Sequence, residues 1–215
     1  MLVSYKMIVV DLETSGLDHV KCGIWQIGAV DLSNKEEFFQ EARIDDEDII
    51  HKEALIVIGK TEEQLRDRKN QTQKQLLDNF FKWYSKRKNK VFIAQNPQFD
   101  FSFLDVKAKK YGLKLPFGYR ALDLHTLAAL RHLQIKGKFL IEKENSGMSL
   151  SRILAFCGLK DPRRIIGKGK IIKEGKSHSA LGDVRLEAEC FSRLVFGKNL
   201  FSEYSKFPLP TELRK

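Results

Sequence analysis

Cysteine is scarce in this chain: Cys22, Cys157 and Cys190 are the three present, an odd number with no CxxC pair. That argues against a disulfide framework and against a thiolate zinc site, and a reducing, cytoplasmic setting is expected. Long apolar runs are missing too, and nothing approaches the ~20 residues needed to cross a bilayer. The run Met7-Ile8-Val9-Val10 leads straight into an acid and has no cleavage-site pattern, so it reads as a strand and not as a signal peptide. There is no lipidation signal, basic amphipathic helix, internal repeat or low-complexity tract, so no membrane partner is expected.

What is present suits a folded domain with an anionic partner. Hydrophobic residues make up 42% of the 215 and aromatics 10%, enough for a real core. Lys and Arg number 38 against 28 Asp and Glu, a formal charge of +10. That balance favours a polyanion such as nucleic acid.

The β-branched run over 6–13 predicts a buried strand. Residues 23–31 and 36–44 predict two more with short connections, an antiparallel meander. Residues 45–60 are ambiguous. Thr61 opens a capped helix, and 72–86 carries an apolar stripe of Leu76, Leu77, Phe80, Phe81 and Tyr84. Strands are expected at 90–94 and 119–122, and helices at 97–111, 123–133, 149–157 and 179–196. Cys157 and Cys190 fit those last two helices as small buried thiols. The Lys-, Gly- and Arg-rich stretches 135–148 and 160–177 read as mobile loops. The tail 201–215, with Pro208 and Pro210, reads as loosely attached to a domain spanning 1–200. The expected fold is α/β: a mixed five-stranded sheet, with a three-strand antiparallel meander and two parallel strands, flanked by helices.

Acids recur where such a sheet places ligand sites. Asp11 and Glu13, two apart on a strand, project from the same face roughly 6–7 Å apart. A Gly-containing turn follows, Thr14-Ser15-Gly16-Leu17. In Asn96-Pro97-Gln98-Phe99-Asp100, Asn is expected to cap a helix with Pro in its first turn, which puts Asp100 near that helix start. His178 precedes the last helix and Asp183 lies about one turn in. Gly182 between them suggests close approach by a backbone or a ligand. Taken singly, each acid has a plain reading as a strand terminus or a helix-start charge. Together, four carboxylates repel, by about 4 kcal/mol for a pair at ~4 Å and an effective dielectric of ~20. Such a cluster takes up protons or cations. Hard oxygen ligands favour Mg²⁺ or Mn²⁺, and two such ions suit phosphodiester hydrolysis with an imidazole as base.

The order D-x-E, N-x-x-F-D, H-x(4)-D over residues 6–196 resembles the DEDDh exonucleases of the ribonuclease H-like superfamily. The resemblance implies a 3′→5′ exonuclease that releases nucleoside 5′-monophosphates by a two-metal mechanism. It makes Asp11, Glu13, Asp100 and Asp183 the ligands of two Mg²⁺ or Mn²⁺ ions and His178 the general base. It also implies that Thr14, Ser15 and Leu17 hold the terminal nucleotide and that Phe99 and Phe103 flank it, with core packing an equal reading for the two rings. The partner is then a nucleic acid with a free 3′ end, single-stranded, alongside a polymerase or another protein if the chain is a subunit. DNA or RNA preference and oligomeric state are not legible.

Between Lys160 and Lys176 lie seven cations (Lys160, Arg163, Arg164, Lys168, Lys170, Lys173 and Lys176) and two anions, a net +5 just before His178. A solvated charge run is the ordinary reading. A phosphate-tracking loop, with Arg163 and Arg164 on substrate, is the functional one. Two other readings stand beside the exonuclease: a catalytically idle nucleic-acid-binding module, whose mark would be a lost ligand, and a polymerase-associated proofreading subunit.

Overall fold

The computed structural model describes residues 6–87, 90–167 and 169–214. Its centre is a five-stranded sheet of β1 (Met7–Thr14), β2 (Ile24–Asp31), β3 (Glu37–Glu41), β4 (Val91–Ala94) and β5 (Leu122–Asp123), in the order β3-β2-β1-β4-β5. The pairs β1–β2 and β2–β3 are antiparallel, and β1–β4 and β4–β5 are parallel. The first three strands form a meander. The parallel strands need helical crossovers, supplied by α3 (Gln73–Ser85) and α4 (Pro97–Tyr111).

Strand alternation divides the core. Ile8, Val10 and Leu12 pack with Leu76, Phe80, Phe103 and Leu104 of α3 and α4. Val9 faces the other way, toward α5 (Leu124–Lys136), α6 (Leu150–Phe156) and α7 (Ala180–Phe196). Period two then puts Asp11 and Glu13 on the Val9 side, beneath α7. A short helix, α1 (Lys52–Ile58), resolves the ambiguous stretch, and the expected α2 (Glu62–Leu65) follows it. They close over Trp25 and Ile44 as a third cluster. Capping boxes at Thr61/Gln64 and Thr72/Gln75 start α2 and α3, where the sequence placed them.

Several expectations are corrected. Strand 119–122 is instead Leu122–Asp123, and Asp123 doubles as the cap of α5, accepting from His125 N at 2.9 Å and Thr126 N at 3.2 Å. Asn96 adopts a left-handed conformation (φ 56°, ψ 63°) and makes no side-chain cap. The two predicted loops hold hairpins, Ile141–Glu142 with Asn145–Ser146 and β8 (Ile165–Gly167) with β9 (Lys170–Lys173). Here β6 and β7 denote the strands of the first hairpin. Lys168 lies outside the described residues.

The tail is anchored rather than loose. Phe201 and Leu213 are buried in the core beside α7. Glu189 accepts from Leu200 N and Phe201 N, and Arg193, fully buried, donates to Cys157 O, Tyr204 O and Phe207 O at 2.9–3.0 Å. Proline-rich composition hid this, because the anchors are charged side chains of α7. Cys22, Cys157 and Cys190 are buried and free. Among the described residues no helix is long and apolar enough to cross a membrane.

Candidate active site

Close approach of α7 to the sheet builds the site. Gly28 on β2 stands opposite Asp11, and a Cβ there would lie 2.3 Å from Ala180 O. Only glycine lets the helix start settle on the strand. Gln26, opposite Glu13, accepts from Ala180 N at 3.1 Å and so serves the helix end that Ser179 leaves uncapped. Gly182, by contrast, has nothing tight around it; a Cβ would meet Ser179 Cβ at 3.9 Å. The glycine that close approach requires is on the strand, not on the helix.

Asp100 enters from the start of α4, which follows directly from the end of β4. It is 4% exposed, and the backbone N–H groups of Asp100 and Leu12 favour its charged form against burial. Asp183 is 5% exposed and Glu13 7%. Glu13, His178 and Asp183 each offer one ligand atom within 4.8 Å of the others. The structure therefore gathers Asp11, Glu13, Asp100, Asp183 and His178 in one place, and each of the acids lies within electrostatic reach of others in the set.

A fifth carboxylate was missed from the sequence. Glu187 lies one turn after Asp183 on α7, is 2% exposed, and acts on Asp11 and Asp100. Its only sequence signal was the i, i+4 spacing from Asp183.

Burial and crowding raise the proton affinity of Asp11, Glu13, Asp100 and Glu187. Burial is the largest cause for Asp11, followed by the charges of Glu187, Asp183, Glu13 and Asp100, and it holds that carboxyl well above its usual range. Asp100 and Glu187 are raised by burial and by neighbouring acids in the same way. Glu13 is pushed up to about 8 by burial and Asp183, against the pull of His178 and Arg163.

A carboxyl raised in this way contributes stability that is complete below its unfolded value and is lost as pH climbs through its folded value. For Glu13 the window runs from 4.5 to about 8. His178 is also raised and adds loss in the same direction. In EDTA, Tm measured by scanning calorimetry is expected to fall as pH rises from about 5 to about 8, and added Mn²⁺ to blunt that fall. A Tm that climbs over this range without metal would contradict the clustering.

His178 is half-buried and doubly engaged. Nδ1 lies 3.2 Å from Asp183 Oδ2 and Nε2 lies 2.9 Å from Arg164 O. Both neighbours are acceptors, so the ring suits two N–H donors. Burial opposes protonation, but the hydrogen bond and charge of Asp183 outweigh it and raise the imidazole. The ring is thus pinned at both nitrogens.

The donor set fits a hard divalent cation. Asp11 Oδ2 and Glu187 Oε2 are buried and accept no hydrogen bond from the protein. The cluster is oxygen-rich with a single imidazole and no thiolate.

The expected substrate contacts divide. Leu17 is 80% exposed, and with Thr14, His51, Val57 and Phe99 it lines a cavity of about 560 Å³ that reaches Glu13. Ser15 is fully buried; its hydroxyl donates to Ile49 O at 2.6 Å and accepts from Gly23 N at 2.8 Å, so it is structural. Phe103 is fully buried, its ring centroid 4.9 Å from that of Phe99, which favours the packing reading for it. Arg163 does not face solvent either. It is 8% exposed, with Nε and Nη2 on Asp161 at 3.0 Å and Nη1 3.3 Å from Asp183. Arg164 donates to Ile56 O at 2.8 Å. Both guanidiniums are engaged within the protein, Arg163 at Asp161 and Asp183 and Arg164 at α1. The wall from α1, including His51 at its start, was not foreseen, since its period was unreadable.

Comparison with known proteins places this architecture. A family model described as Exonuclease (RNase_T) matches residues 8–191. The chain is 32% identical over 133 residues to a PolC-type DNA polymerase III of Caldanaerobacter subterraneus subsp. tengcongensis, an alignment covering 60% of this chain and 9% of that protein. A product-bound exonuclease I superposes with TM-score 0.66 and 12% identity, over 89% of this chain and 43% of the other. A zinc-bound E. coli exonuclease I–ssDNA complex gives TM-score 0.64 and 14% identity, over 93% and 42%. The chain thus spans less than half of each exonuclease I and a small part of the polymerase.

Proposed function

The chain belongs to the DEDDh-type exonuclease family of the ribonuclease H-like superfamily, and from that premise we propose that it is a metal-dependent 3′→5′ exonuclease acting on single-stranded nucleic acid. The observation that carries this reading is that Glu13 lines an open cavity of about 560 Å³ and also belongs to the cluster with His178 and Asp183. That volume suits a terminal nucleotide.

Asp11, Glu13, Asp100 and Asp183 are the proposed ligands of two Mg²⁺ or Mn²⁺ ions. When bound, such ions supply Lewis-acid activation and neutralise charge on the phosphoryl oxygens. The protein's own residues do the rest. Leu17, His51 and Phe99 form walls for the terminal sugar and base, with Thr14 at the floor. His178, once it has lost its extra proton and its Nε2 has left Arg164 O, takes a proton from the attacking water at Nε2, while Asp183 orients the ring through Nδ1. Cleavage releases a nucleoside 5′-monophosphate and leaves a 3′-hydroxyl on the shortened strand. The exposed lysines Lys160, Lys170 and Lys176 replace Arg163 and Arg164 as the cations offered to the strand, so affinity falls as salt rises. The PolC-type relative supports a second reading, in which the same chemistry proofreads for a polymerase.

The test uses end-labelled single-stranded DNA, single-stranded RNA and a 3′-recessed duplex, each with Mg²⁺, Mn²⁺ or EDTA. A metal-dependent ladder shortening from the 3′ end is expected, with a single strand preferred. Degradation only of the recessed duplex would favour the proofreading reading. No degradation by folded protein would point to an idle binding module.

A further inference from the structure

Glu187 has no role in the four-carboxylate reading, yet its environment is one a structural residue would not need. It sits four residues after Asp183 on α7, on the same face of the helix. The backbone N–H of Gln95, which follows β4 and leads into the α4 turn that carries Asp100, lies close enough to favour its charged form. One oxygen, Oε2, is buried and accepts no hydrogen bond from the protein. The side chain as a whole is 2% exposed. A buried carboxylate with an unsatisfied oxygen is destabilising, and a neutral amide of the same size could face Gln95 without that charge. The charge falls on the acid cluster: Glu187 acts on Asp11 more strongly than Asp183, Glu13 or Asp100 does, and it acts on Asp100 and Asp183 as well.

We propose that Glu187 is a fifth carboxylate of this site, a positioning residue that joins α7 to the Asp100 segment and whose unpaired, buried oxygen and negative charge set the affinity for divalent cation. The inference rests on the metal-site reading above and adds to it. Nothing in the comparisons assigns this residue. Its effect reaches the cation through the field at Asp11 and Asp100 and through polar groups around the ligands, which is how outer carboxylates tune metal sites.

The test is Glu187→Gln in the full chain, with Mn²⁺ binding measured by titration calorimetry without nucleic acid and Tm measured in EDTA. The amide has the same size and can still accept a backbone N–H, so only the charge is removed. Mn²⁺ affinity is expected to fall about 10- to 100-fold, while Tm in EDTA stays at or above that of the parent. If Glu187 served only to hold Gln95, Mn²⁺ affinity would be unchanged, and that result would overturn the proposal. Glu187→Leu, which suits a buried helix face, gives the same readout should the Gln variant not fold. If the parent protein itself binds no Mn²⁺, the metal-site reading fails and this inference with it; equal binding by parent and variant overturns the inference alone.

Discussion

Asp11→Asn is expected to lower the rate of strand shortening about a thousandfold or more and to remove most of the rise in Tm that Mn²⁺ gives. Asn fills the same volume, so β1 and the packing of α7 are preserved. What changes is charge at the centre of the cluster. Asp11 feels Glu187, Asp183, Glu13 and Asp100 together, and its Oδ2 is buried without a partner in the protein. A neutral amide there is a weaker ligand for a hard cation. For the parent, binding at a hundred times Kd adds about 2.7 kcal/mol, or roughly 5–10 °C in a chain of this size. In EDTA the variant should be no less stable than the parent, because one of several mutually repelling charges is gone. The measurements are end-labelled strand assays with Tm in EDTA and in Mn²⁺. Full activity together with an intact Mn²⁺ response would remove Asp11 from the ligand set.

His178→Ala has the second largest expected effect, a loss of about 10²- to 10⁴-fold in kcat with the Mn²⁺ response of Tm retained. The geometry admits two roles for this ring. One ring nitrogen lies within 4.8 Å of a carboxylate oxygen of Glu13 and of Asp183, which would suit a ligand. The hydrogen bond to Asp183 and the contact with Arg164 O suit an oriented base. A base that is removed leaves metal binding intact, whereas a ligand that is removed does not. The pH profile gives a second readout. Asp183 holds the imidazole charged above its ordinary value, so kcat in the parent should rise with pH as the ring loses its proton, and the variant should lack that limb. Loss of the Mn²⁺ response in His178→Ala would recast the residue as a ligand.

Both residues are legible in the amino-acid sequence because their signals are local. A β-branched run ending in D-x-E, an Asn-Pro helix start followed by Asp100, and a helix carrying Asp183 one turn in are all patterns of near neighbours. The capping boxes at Thr61 and Thr72 and the meander of the first three strands were legible for the same reason. The mixed sheet type was legible in the same way, whereas the strand order β3-β2-β1-β4-β5 was set by the fold.

What escaped the sequence depends on contacts far apart in the chain. Ser15 looked available until the fold enclosed its hydroxyl between Ile49 and Gly23. Arg163 looked like a solvated cation until its guanidinium turned inward to Asp161 and Asp183. The tail looked loose until Arg193 and Glu189 on α7 gathered its backbone. In each case a polar or flexible side chain has several destinations, and only the packed partners select one.

The sequence by itself determined the strands of the main sheet, its longer helices and its mixed type, and singled out four acids and the histidine, because strand period, helix period and capping act over a few residues. Tertiary structure alone decided how those groups meet. Gly28 lets α7 rest on the sheet, Glu187 then joins the cluster, and α1 closes the cavity wall. The physical reason is burial: the fields that raise these carboxyls and the hydrogen bonds that pin His178 arise only when distant segments exclude water together.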